Sequence, residues 1–312
     1  MKELKINFTD FWPNYDKKDN YFYDVLKDSY DLVIDEDPDL LFYSSFGHDY
    51  LNYKCKRIFY TGDIKRPDFT ACDFAFTFDL ILNKKHYRLP LYSIYIYHHN
   101  MLSQLEHKKT REEAALIWKG KTKFCCMVVS NPNCTQRIDF FKHLSRHKFV
   151  DSGGSVLNNI GGPLADKAAF IKDYKFVISF ENSAHDGYTT EKIMEPILQD
   201  CIPIYWGNKL VEMDFNSKRF LDYNQFQSEE DLIKRILEID QNDELAIDMI
   251  LQPTFSLNKI THQEEQHQIV EILRSIIDTN TRPIALSCYS YLHHLNLFCA
   301  KIKKRIIPAI NI

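Results

Sequence analysis

The sequence predicts an α/β protein of two units, each with a parallel β-sheet covered by helices on both faces. Short apolar runs rich in aromatic and β-branched residues, typical of buried strands, recur through most of the 312 residues. In the second part of the chain these runs alternate with helical segments, which is typical of parallel sheets. A polar, mostly charged segment near residues 103–123 separates the two parts, and we expect a cleft between the two units.

The predicted strands of the first part are bounded by Asp, Pro or Gly, which favour turns. They are Leu4–Phe8, Leu32–Ile34, Leu40–Gly47, Arg57–Asp63 and Phe74–Asp79. The charged segment that follows them predicts a solvated surface helix or a helical linker. We therefore predict a first domain over residues 1–118 and a second over residues 119–280.

The second part is a more regular succession of strands and helices. Its predicted strands are Phe124–Ser130, Phe149–Gly154, Lys175–Asn182 and Cys201–Gly207. Its predicted helices run from about Asn133 to Arg146, over 166–174, from about Thr189, and from Ser228 to Asp240. Ser228 and Asp231 occupy capping positions of the last helix. Pro196 disturbs the third helix, because proline lacks the backbone donor that a helix interior needs.

The last residues, 281–312, differ in composition from the rest of the chain. Apolar residues alternate there with histidines and with four basic residues between Lys301 and Arg305, and no acidic residue follows Asp278. Such a segment is either a docked C-terminal helix or strand, or a basic amphipathic tail that binds an anionic membrane surface. The sequence leaves both interpretations open.

Composition limits the possible classes of protein. The formal net charge of −4 argues against general nucleic-acid binding, which requires a basic surface. The sequence has no uninterrupted apolar run of about 18 residues, and its charged start is not followed by an apolar run, so we expect neither a spanning helix nor a signal peptide. The eight cysteines include no CxxC pair, and we expect most to be buried free thiols of a reducing compartment.

The first candidate site is the segment FENSAHDGYTTEK at 180–192, which follows a buried strand and leads into a helix. Ligands of open α/β sheets bind at the carboxyl ends of strands, and a helix N-terminus there favours phosphate. Lys192 could neutralise a diphosphate, Glu191 could accept hydrogen bonds from ribose hydroxyls, and Tyr188 could stack on a ring or bind a phosphate. The alternative is a strand–loop–helix with an exposed Glu–Lys pair.

Two further segments of the second part also follow predicted strands. In Ser130–Arg137, the guanidinium of Arg137 lies near a helix start, where it could meet phosphate. In Asp151–Gly162, Gly153 and Gly154 would let a nucleotide base or ribose approach the backbone closely. A surface arginine and a plain turn are the respective alternatives.

In the first part, Asp63 follows a strand and a glycine turn, so its carboxylate could project into a cleft. A carboxylate in that position could act as a general base. An ordinary turn aspartate is the alternative.

Together these segments resemble the signature of the α-1,3/4-fucosyltransferases of bacteria and animals, glycosyltransferase family 10. That pattern is Phe-Glu-Asn-Ser, a variable loop, Tyr-x-Thr-Glu-Lys, and a proline-containing strand that ends in Tyr-Trp-Gly. It is matched here by Phe180–Ser183, Tyr188–Lys192 and Pro203–Gly207. FYTGDIKRPDF is similar to another family segment, and SNPNCTQRIDFF and SGGSVLNNIGG are similar to segments of Helicobacter-type members. The resemblance extends roughly from Ile58 to Ser256.

The resemblance implies a GT-B fold of two Rossmann-like α/β domains, with the acceptor bound by the N-terminal domain and GDP-fucose by the C-terminal domain. It implies an inverting transfer of L-fucose from GDP-β-L-fucose to the GlcNAc of a lactosamine-type glycan. The linkage would be α-1,3 (Lewis x type) or, on type 1 chains, α-1,4 (Lewis a type). Such an enzyme would require no cofactor, with divalent cations at most stimulatory. It would act in lipopolysaccharide O-antigen synthesis, in the cytoplasm at the inner face of the bacterial inner membrane.

The resemblance also implies roles for individual residues of the donor site. Arg137 and Lys192 match positions that contact the donor phosphates. Glu191 matches a carboxylate that contacts ribose or fucose. Asn182 and Tyr188 match positions of the donor pocket.

The base position is where this sequence departs from the family. Asp63 matches the proposed catalytic base, but the family pattern has glutamate there, and aspartate is one methylene shorter. Asp68 is the alternative base, and a catalytically inactive glycan- or nucleotide-binding module remains an alternative function. A GT-B transferase of another nucleotide sugar is a further alternative. Asp35–Asp37 formally matches the DxD pattern of metal-dependent sugar transferases, but we expect a solvated acidic turn and no metal site.

Overall fold

The structure, a computed structural model, describes residues 1–293, 295 and 297–299. The chain forms two compact units. The first comprises Met1–Leu89 and the described residues from Ile260 onward, and the second comprises Pro90–Lys259. Each unit contains one parallel β-sheet, so the α/β class predicted from the sequence is confirmed.

The first unit has a six-stranded sheet with the strand order β2-β1-β3-β4-β5-β6, in which every neighbouring pair is parallel. The strands are β1 (Lys2–Thr9), β2 (Tyr30–Ile34), β3 (Leu40–Tyr43), β4 (Lys56–Tyr60), β5 (Phe74–Thr77) and β6 (His86–Arg88). Helix α1 (Tyr21–Lys27) connects the first two strands. The central strands β3, β4 and β5 are almost entirely buried, which explains why they appear in the sequence as continuous apolar runs.

The second unit has a five-stranded parallel sheet with the order β11-β10-β9-β7-β8. Its strands are β7 (Lys123–Met127), β8 (Val150–Ser152), β9 (Tyr174–Phe180), β10 (Ile202–Trp206) and β11 (Leu221–Asp222). Its helices are α2 (Leu91–His98), α3 (Leu102–Leu105), α4 (Arg111–Gly120), α5 (Thr135–His147), α6 (Lys167–Ile171), α7 (Met194–Leu198), α8 (Glu229–Gln241) and α9 (Asp243–Ile250). The cap predicted for α8 is present, because the Ser228 side chain accepts a hydrogen bond from the Asp231 N–H.

The helix predicted from about Thr189 begins later, at Met194. The N–H and the hydroxyl of Thr190 donate to the Glu181 carboxylate, which holds this stretch outside the helix. A start at Met194 also puts Pro196 in the first turn, where a backbone N–H has no intrahelical partner and proline costs no helix hydrogen bond. Lys192 therefore lies in a turn before α7 and not in its first helical turn.

The boundary between the units lies between residues 89 and 90, whereas the sequence predicted it near residue 118. Helices α2 to α4 account for the difference, because their apolar side chains pack into the cores of the second unit. Tyr92 and Leu105 share an apolar cluster with Tyr205 of β10. Trp118 of α4 packs edge-on against Phe176 of β9. The charged segment is thus a capped helix of the second unit and not a linker.

The described residues from Ile260 onward complete the first unit. Helix α10 (His262–Asp278) begins at a capping box and buries one apolar stripe. Its Arg274 donates to the Ser29 hydroxyl at 2.9 Å, and after the helix the Ile284 N–H donates to Asp73 Oδ1 at 2.8 Å. The predicted second domain, 119–280, therefore extends into residues that belong to the first unit.

The predicted tail, 281–312, lies only partly within the described residues. In its described part Ile284 is buried in the first unit, whereas Tyr291, Leu295 and Phe298 are exposed. The four basic residues between Lys301 and Arg305 lie outside the described residues. Within the part of the chain that the structure describes, the helices are too short or too polar to cross a membrane.

Candidate functional site

The carboxyl ends of the strands of the second unit lie at one edge of its sheet, because all five strands are parallel. Glu181 and Asn182 follow β9 at this edge, and Gly153 follows β8. Arg137 reaches the same edge from the first turn of α5, where it bonds to Asn182. Four sequence-predicted donor residues (Arg137, Asn182, Glu191, Lys192) are therefore grouped around the end of β9.

Arg137 is a buried arginine with a relative exposure of 1%. Its Nη2 donates to the Phe180 carbonyl oxygen at 2.7 Å and to Asn182 Oδ1 at 3.0 Å. Its Nε and Nη1 atoms are also buried but have no hydrogen-bond partner. Burial lowers the pKa of Arg137, against the opposing effect of Glu181. Because a buried cation with unsatisfied donors is costly, this guanidinium is suited to receive an anionic ligand.

Glu181 is a fully buried carboxylate directly after β9. It accepts hydrogen bonds at 2.8 Å from the Thr190 N–H and at 2.8 Å from the Thr190 hydroxyl, and Lys192 Nζ donates to it at 3.2 Å. Burial raises the pKa of Glu181, and Lys192 opposes that shift. Gly207 makes room for the side chain, because a Cβ at that position would lie 2.5 Å from Glu181 Cγ. Glu181 therefore fixes the turn that carries Lys192.

The Lys192 ammonium lies among three acceptors. They are Glu181 Oε2 at 3.2 Å, Thr190 Oγ1 at 3.1 Å and Glu191 Oε1 at 3.5 Å. Burial alone would lower the pKa of Lys192, but the Glu181 and Glu191 carboxylates outweigh burial and raise it. Lys192 is therefore protonated at neutral pH. Because 21% of its side chain is exposed, it can also contact a ligand.

The loop between β9 and Thr189 is held by Asn208, a fully buried residue that follows β10. Asn208 Oδ1 accepts a hydrogen bond from the Gly187 N–H at 2.7 Å, and its Nδ2 donates to Thr189 Oγ1 at 2.9 Å. Tyr188, between these two contacts, has a relative exposure of only 5%. The ring of Tyr188 is therefore held in place by the protein.

Sequence reasoning missed Glu181 and Asn208 as site residues. A signal was available, because each is a polar residue within two positions of the end of a buried strand. In a parallel sheet such residues lie at the ligand-binding edge. Their burial and their contacts with other loop residues are long-range features, which the local sequence does not contain.

Gly153 and Gly154 follow β8 at the same edge, but protein atoms surround both. A Cβ on Gly154 would collide with the backbone of Val129, and a Cβ on Gly153 would lie 2.7 Å from Leu164 Cδ1. Packing within the second unit therefore requires glycine at position 154, whereas at position 153 a Cβ would press on side chains that can move. A contact of these glycines with a ligand stays a prediction.

In the first unit, Asp63 follows β4 at the carboxyl edge of the other sheet. Its N–H donates to Thr61 Oγ1 at 3.0 Å, and its side chain is exposed. Asp68, the alternative base, accepts hydrogen bonds from the Thr70 N–H at 2.8 Å and the Thr70 hydroxyl at 2.6 Å, and lies 2.8 Å from His293 Nδ1. Burial would raise the pKa of Asp68, but these bonds outweigh burial and lower it. The Asp68 carboxylate is thus already bonded within the protein, and the base role of Asp63 stays a prediction.

The acidic turn at Asp35–Asp37 is the solvated turn that the sequence predicted. Asp35 Oδ2 pairs with Lys5 Nζ at 2.9 Å, and Asp35 Oδ1 accepts the Asp37 N–H at 2.8 Å. Within residues 1–293, 295 and 297–299, we find no group of three or more His, Cys, Asp or Glu side chains that could hold a metal ion.

Solved structures match this fold over almost the whole chain. The crystal structure of an alpha1,3-fucosyltransferase matches with a TM-score of 0.78 and 27% identity, over 92% of this chain and 92% of that chain. The structure of an alpha1,3-fucosyltransferase with GDP-fucose matches with a TM-score of 0.74 and 26% identity, over 90% of this chain and 92% of that chain. The two parallel-sheet units and these matches define a glycosyltransferase of the GT-B class.

Family comparisons narrow that class. Residues 6–95 match the alpha-(1,3)-fucosyltransferase FucT N-terminal domain, and residues 118–275 match the C-terminal region of glycosyltransferase family 10 (fucosyltransferase). The alpha-(1,3)-fucosyltransferase FucT of Helicobacter pylori is 30% identical over 288 residues, which cover 80% of this chain and 60% of that protein. The chain thus spans less than two thirds of this relative. It belongs to glycosyltransferase family 10, the family that its sequence motifs resemble.

Proposed function

We propose that this chain is an inverting fucosyltransferase that moves L-fucose from GDP-β-L-fucose to the GlcNAc of a lactosamine-type glycan. The observation that carries this proposal is the cluster of Arg137, Glu181 and Lys192 at the carboxyl edge of the second sheet. It offers two cations, one of them buried with unpartnered donors, to an anionic leaving group. The family membership, and a relative whose structure contains GDP-fucose, support that donor.

The donor would be held by the second unit. Arg137 Nε and Nη1, together with the Lys192 ammonium, would bind the diphosphate of GDP. Glu191 would accept hydrogen bonds from ribose or fucose hydroxyls. Asn182 and Tyr188 would line the pocket, and the backbone at Gly153 and Gly154 would border the nucleoside.

The reaction would be a single displacement at the anomeric carbon. The acceptor oxygen forms a bond to that carbon from the face opposite GDP, the bond to the β-phosphate oxygen breaks, and the acceptor proton passes to Asp63. The β-linked donor thus gives an α-linked fucoside. Arg137 and Lys192 stabilise the negative charge that grows on GDP, which a metal ion does in other transferases.

Turnover should therefore survive treatment with EDTA. Complete loss of turnover that added Mg²⁺ or Mn²⁺ restores would contradict this role of the two cations.

The acceptor would be a type 2 chain with α-1,3 linkage, and type 1 chains with α-1,4 linkage are the second candidate. The test is incubation of the full chain with GDP-fucose and each disaccharide acceptor, with GDP release measured and the product linkage determined by NMR. UDP- and CMP-sugars serve as control donors. GDP binding without GDP release on either acceptor would support the inactive binding module. If nucleotide is released only from a UDP- or CMP-sugar, the donor is that nucleotide sugar and not GDP-fucose.

We also infer that the enzyme works in the cytoplasm, on lipopolysaccharide O-antigen precursors at the inner face of the bacterial inner membrane. The exposed apolar residues Tyr291, Leu295 and Phe298, followed by the basic residues between Lys301 and Arg305, fit a peripheral membrane contact. Ending the chain after Cys299 should abolish binding to vesicles that contain anionic lipid. Neutral vesicles are the control, and unchanged binding of the shortened chain would exclude the basic residues as the contact.

A further inference from the structure

The C-terminal part of the chain contacts the loop that carries Asp63. This loop, residues 61–73 between β4 and β5, is called the base loop below. Two residues that follow α10 in the sequence contact the second half of the base loop. The Ile284 N–H donates to Asp73 Oδ1 at 2.8 Å, and His293 Nδ1 lies 2.8 Å from Asp68 Oδ2.

His293 is buried, with a relative exposure of 6%, and both of its ring nitrogens have partners. Nδ1 faces Asp68, and Nε2 lies 2.6 Å from the Tyr50 hydroxyl. A neutral imidazole satisfies this arrangement, since Nδ1–H donates to the carboxylate and Nε2 accepts the tyrosine proton. Residues 50, 68 and 293 therefore form one continuous hydrogen-bonded chain.

Tyr50 gives this chain a fixed end. Its ring stacks on Tyr43 of β3 with the centroids 4.2 Å apart, and its N–H donates to Asp10 Oδ2 at 2.9 Å. Burial raises the pKa of Tyr50 to about 12, although the nearby Arg57 lowers it, so the hydroxyl keeps its proton near neutral pH. His293 is thus held against a rigid part of the first unit.

Asp68 connects His293 to the rest of the base loop. Its carbonyl oxygen accepts the N–H groups of Ala71 at 2.9 Å and Cys72 at 3.2 Å, so Asp68 begins a tight turn. Asp63 is only five residues earlier and is itself exposed. Hydrogen bonds are directional, and a chain of them therefore fixes the loop more narrowly than apolar contacts would.

We propose that His293 is a positioning residue for the catalytic base. It bonds to Asp68 and Tyr50 and thereby holds the base loop so that Asp63 meets the acceptor hydroxyl. The proposal rests on the role of Asp63 proposed above. A displacement of about 1 Å at a reacting group can lower a rate roughly 100-fold, so a small shift of the base loop would be enough to lower the rate.

The test uses the full chain and the His293→Ala variant, with Tyr289→Ala as the control because Tyr289 is exposed in the same segment. The kcat of His293→Ala should fall roughly 10- to 100-fold. Its affinity for GDP, measured by calorimetry, should not change, because the donor residues lie in the second unit. Tyr289→Ala should keep the wild-type kcat. If His293→Ala fails to fold, Tyr50→Phe replaces it in every comparison, with a smaller fall of kcat.

A double variant separates positioning from general loss of structure. In an Asp63→Asn background, His293→Ala should cause no further fall in kcat, because it acts only through Asp63. A full multiplicative loss there, an equal loss of GDP affinity, or an unchanged kcat in His293→Ala would each overturn the proposal. A wild-type kcat in the Asp63→Asn single variant would instead contradict the proposed role of Asp63 as the base. Failure of that role and failure of the positioning role of His293 therefore give different results.

Discussion

The carboxyl edges of the two sheets differ in how their charged candidate residues are held. At the edge of the second unit, Arg137 and Glu181 are buried and bonded to the protein, and Lys192 is fixed between carboxylates. In the first unit, Asp63 is exposed and sits on a loop. Stabilising a leaving diphosphate requires charges whose positions are fixed before the reaction. A base must exchange its proton with solvent after every turnover, and exposure permits that exchange.

The largest effect should come from the exposed edge. Asp63→Asn removes the proton acceptor, and turnover should fall by roughly 100- to 10,000-fold while GDP affinity stays unchanged. Asp63→Glu, which introduces the residue of the family pattern, is the matched control and should retain turnover. GDP release and calorimetry provide the two measurements. Near-normal turnover of Asp63→Asn with loss in Asp68→Asn would move the base to Asp68.

At the buried edge, Arg137→Met should act on the donor. Loss of a hydrogen-bonding charged group costs about 1.5–3 kcal/mol, so we expect GDP affinity to weaken roughly 10- to 100-fold. Lys192→Ala should weaken it less, because part of that side chain is in solvent. Arg146→Met, an exposed arginine on the same helix, is the control. Wild-type affinity in Arg137→Met, measured by calorimetry, would make Arg137 a structural residue.

The packing of the buried edge can be tested without a ligand. In Gly207→Ala, the new Cβ would lie 2.5 Å from Glu181 Cγ, and the backbone has φ +154°. Overpacking of this kind costs about 1–3 kcal/mol of unfolding free energy. Gly120→Ala, at the end of α4 with no atom within 4 Å of its Cβ, should instead be neutral or stabilising. Urea unfolding of both variants measures the contrast, and equal behaviour would contradict the close packing at Gly207.

The smallest effect concerns pH. Burial raises the pKa of Glu181 above its ordinary value of 4.5. The folded state then holds this proton more tightly than the unfolded state. The stabilisation that comes from the protonated Glu181 is therefore complete at pH values below the pKa that Glu181 has in the unfolded chain. It is lost as pH rises through the folded pKa. Glu181→Gln should flatten the stability profile at pH values above the ordinary pKa of 4.5, measured by urea unfolding. An unchanged slope would mean that Lys192 cancels the effect of burial.

Local sequence patterns were enough to predict most of the sheet elements. The aromatic and β-branched runs identified β7 and β9, and Ser228 identified the start of α8. The family motif singled out Arg137 and Lys192, which the structure brings to one edge. Two short strands, β6 and β11, were missed, because two or three residues are too few to show a periodic pattern.

The remaining errors have long-range causes. The late start of α7 follows from hydrogen bonds between Thr190 and Glu181, which are nine positions apart. The return of α10 to the first unit was also not predictable, because an amphipathic pattern shows that a helix covers a core but not which core. Nothing in the sequence indicated that protein atoms of the second unit lie against Gly153 and Gly154, and a ligand contact at these glycines stays a prediction.

The path of the chain has a consequence for its synthesis. The second unit is one uninterrupted stretch, whereas the first unit needs α10 and the residues that follow it, which the ribosome adds only after the second unit is complete. We therefore expect the second unit to fold while translation continues, although domains made first usually fold first. Strands β1 to β6, which are synthesised first, would keep part of their apolar surface exposed until α10 is synthesised. On this order of events, the nascent chain completes the sheet edge that holds Arg137 and Lys192 before it contains Ile284 and His293, which contact the base loop.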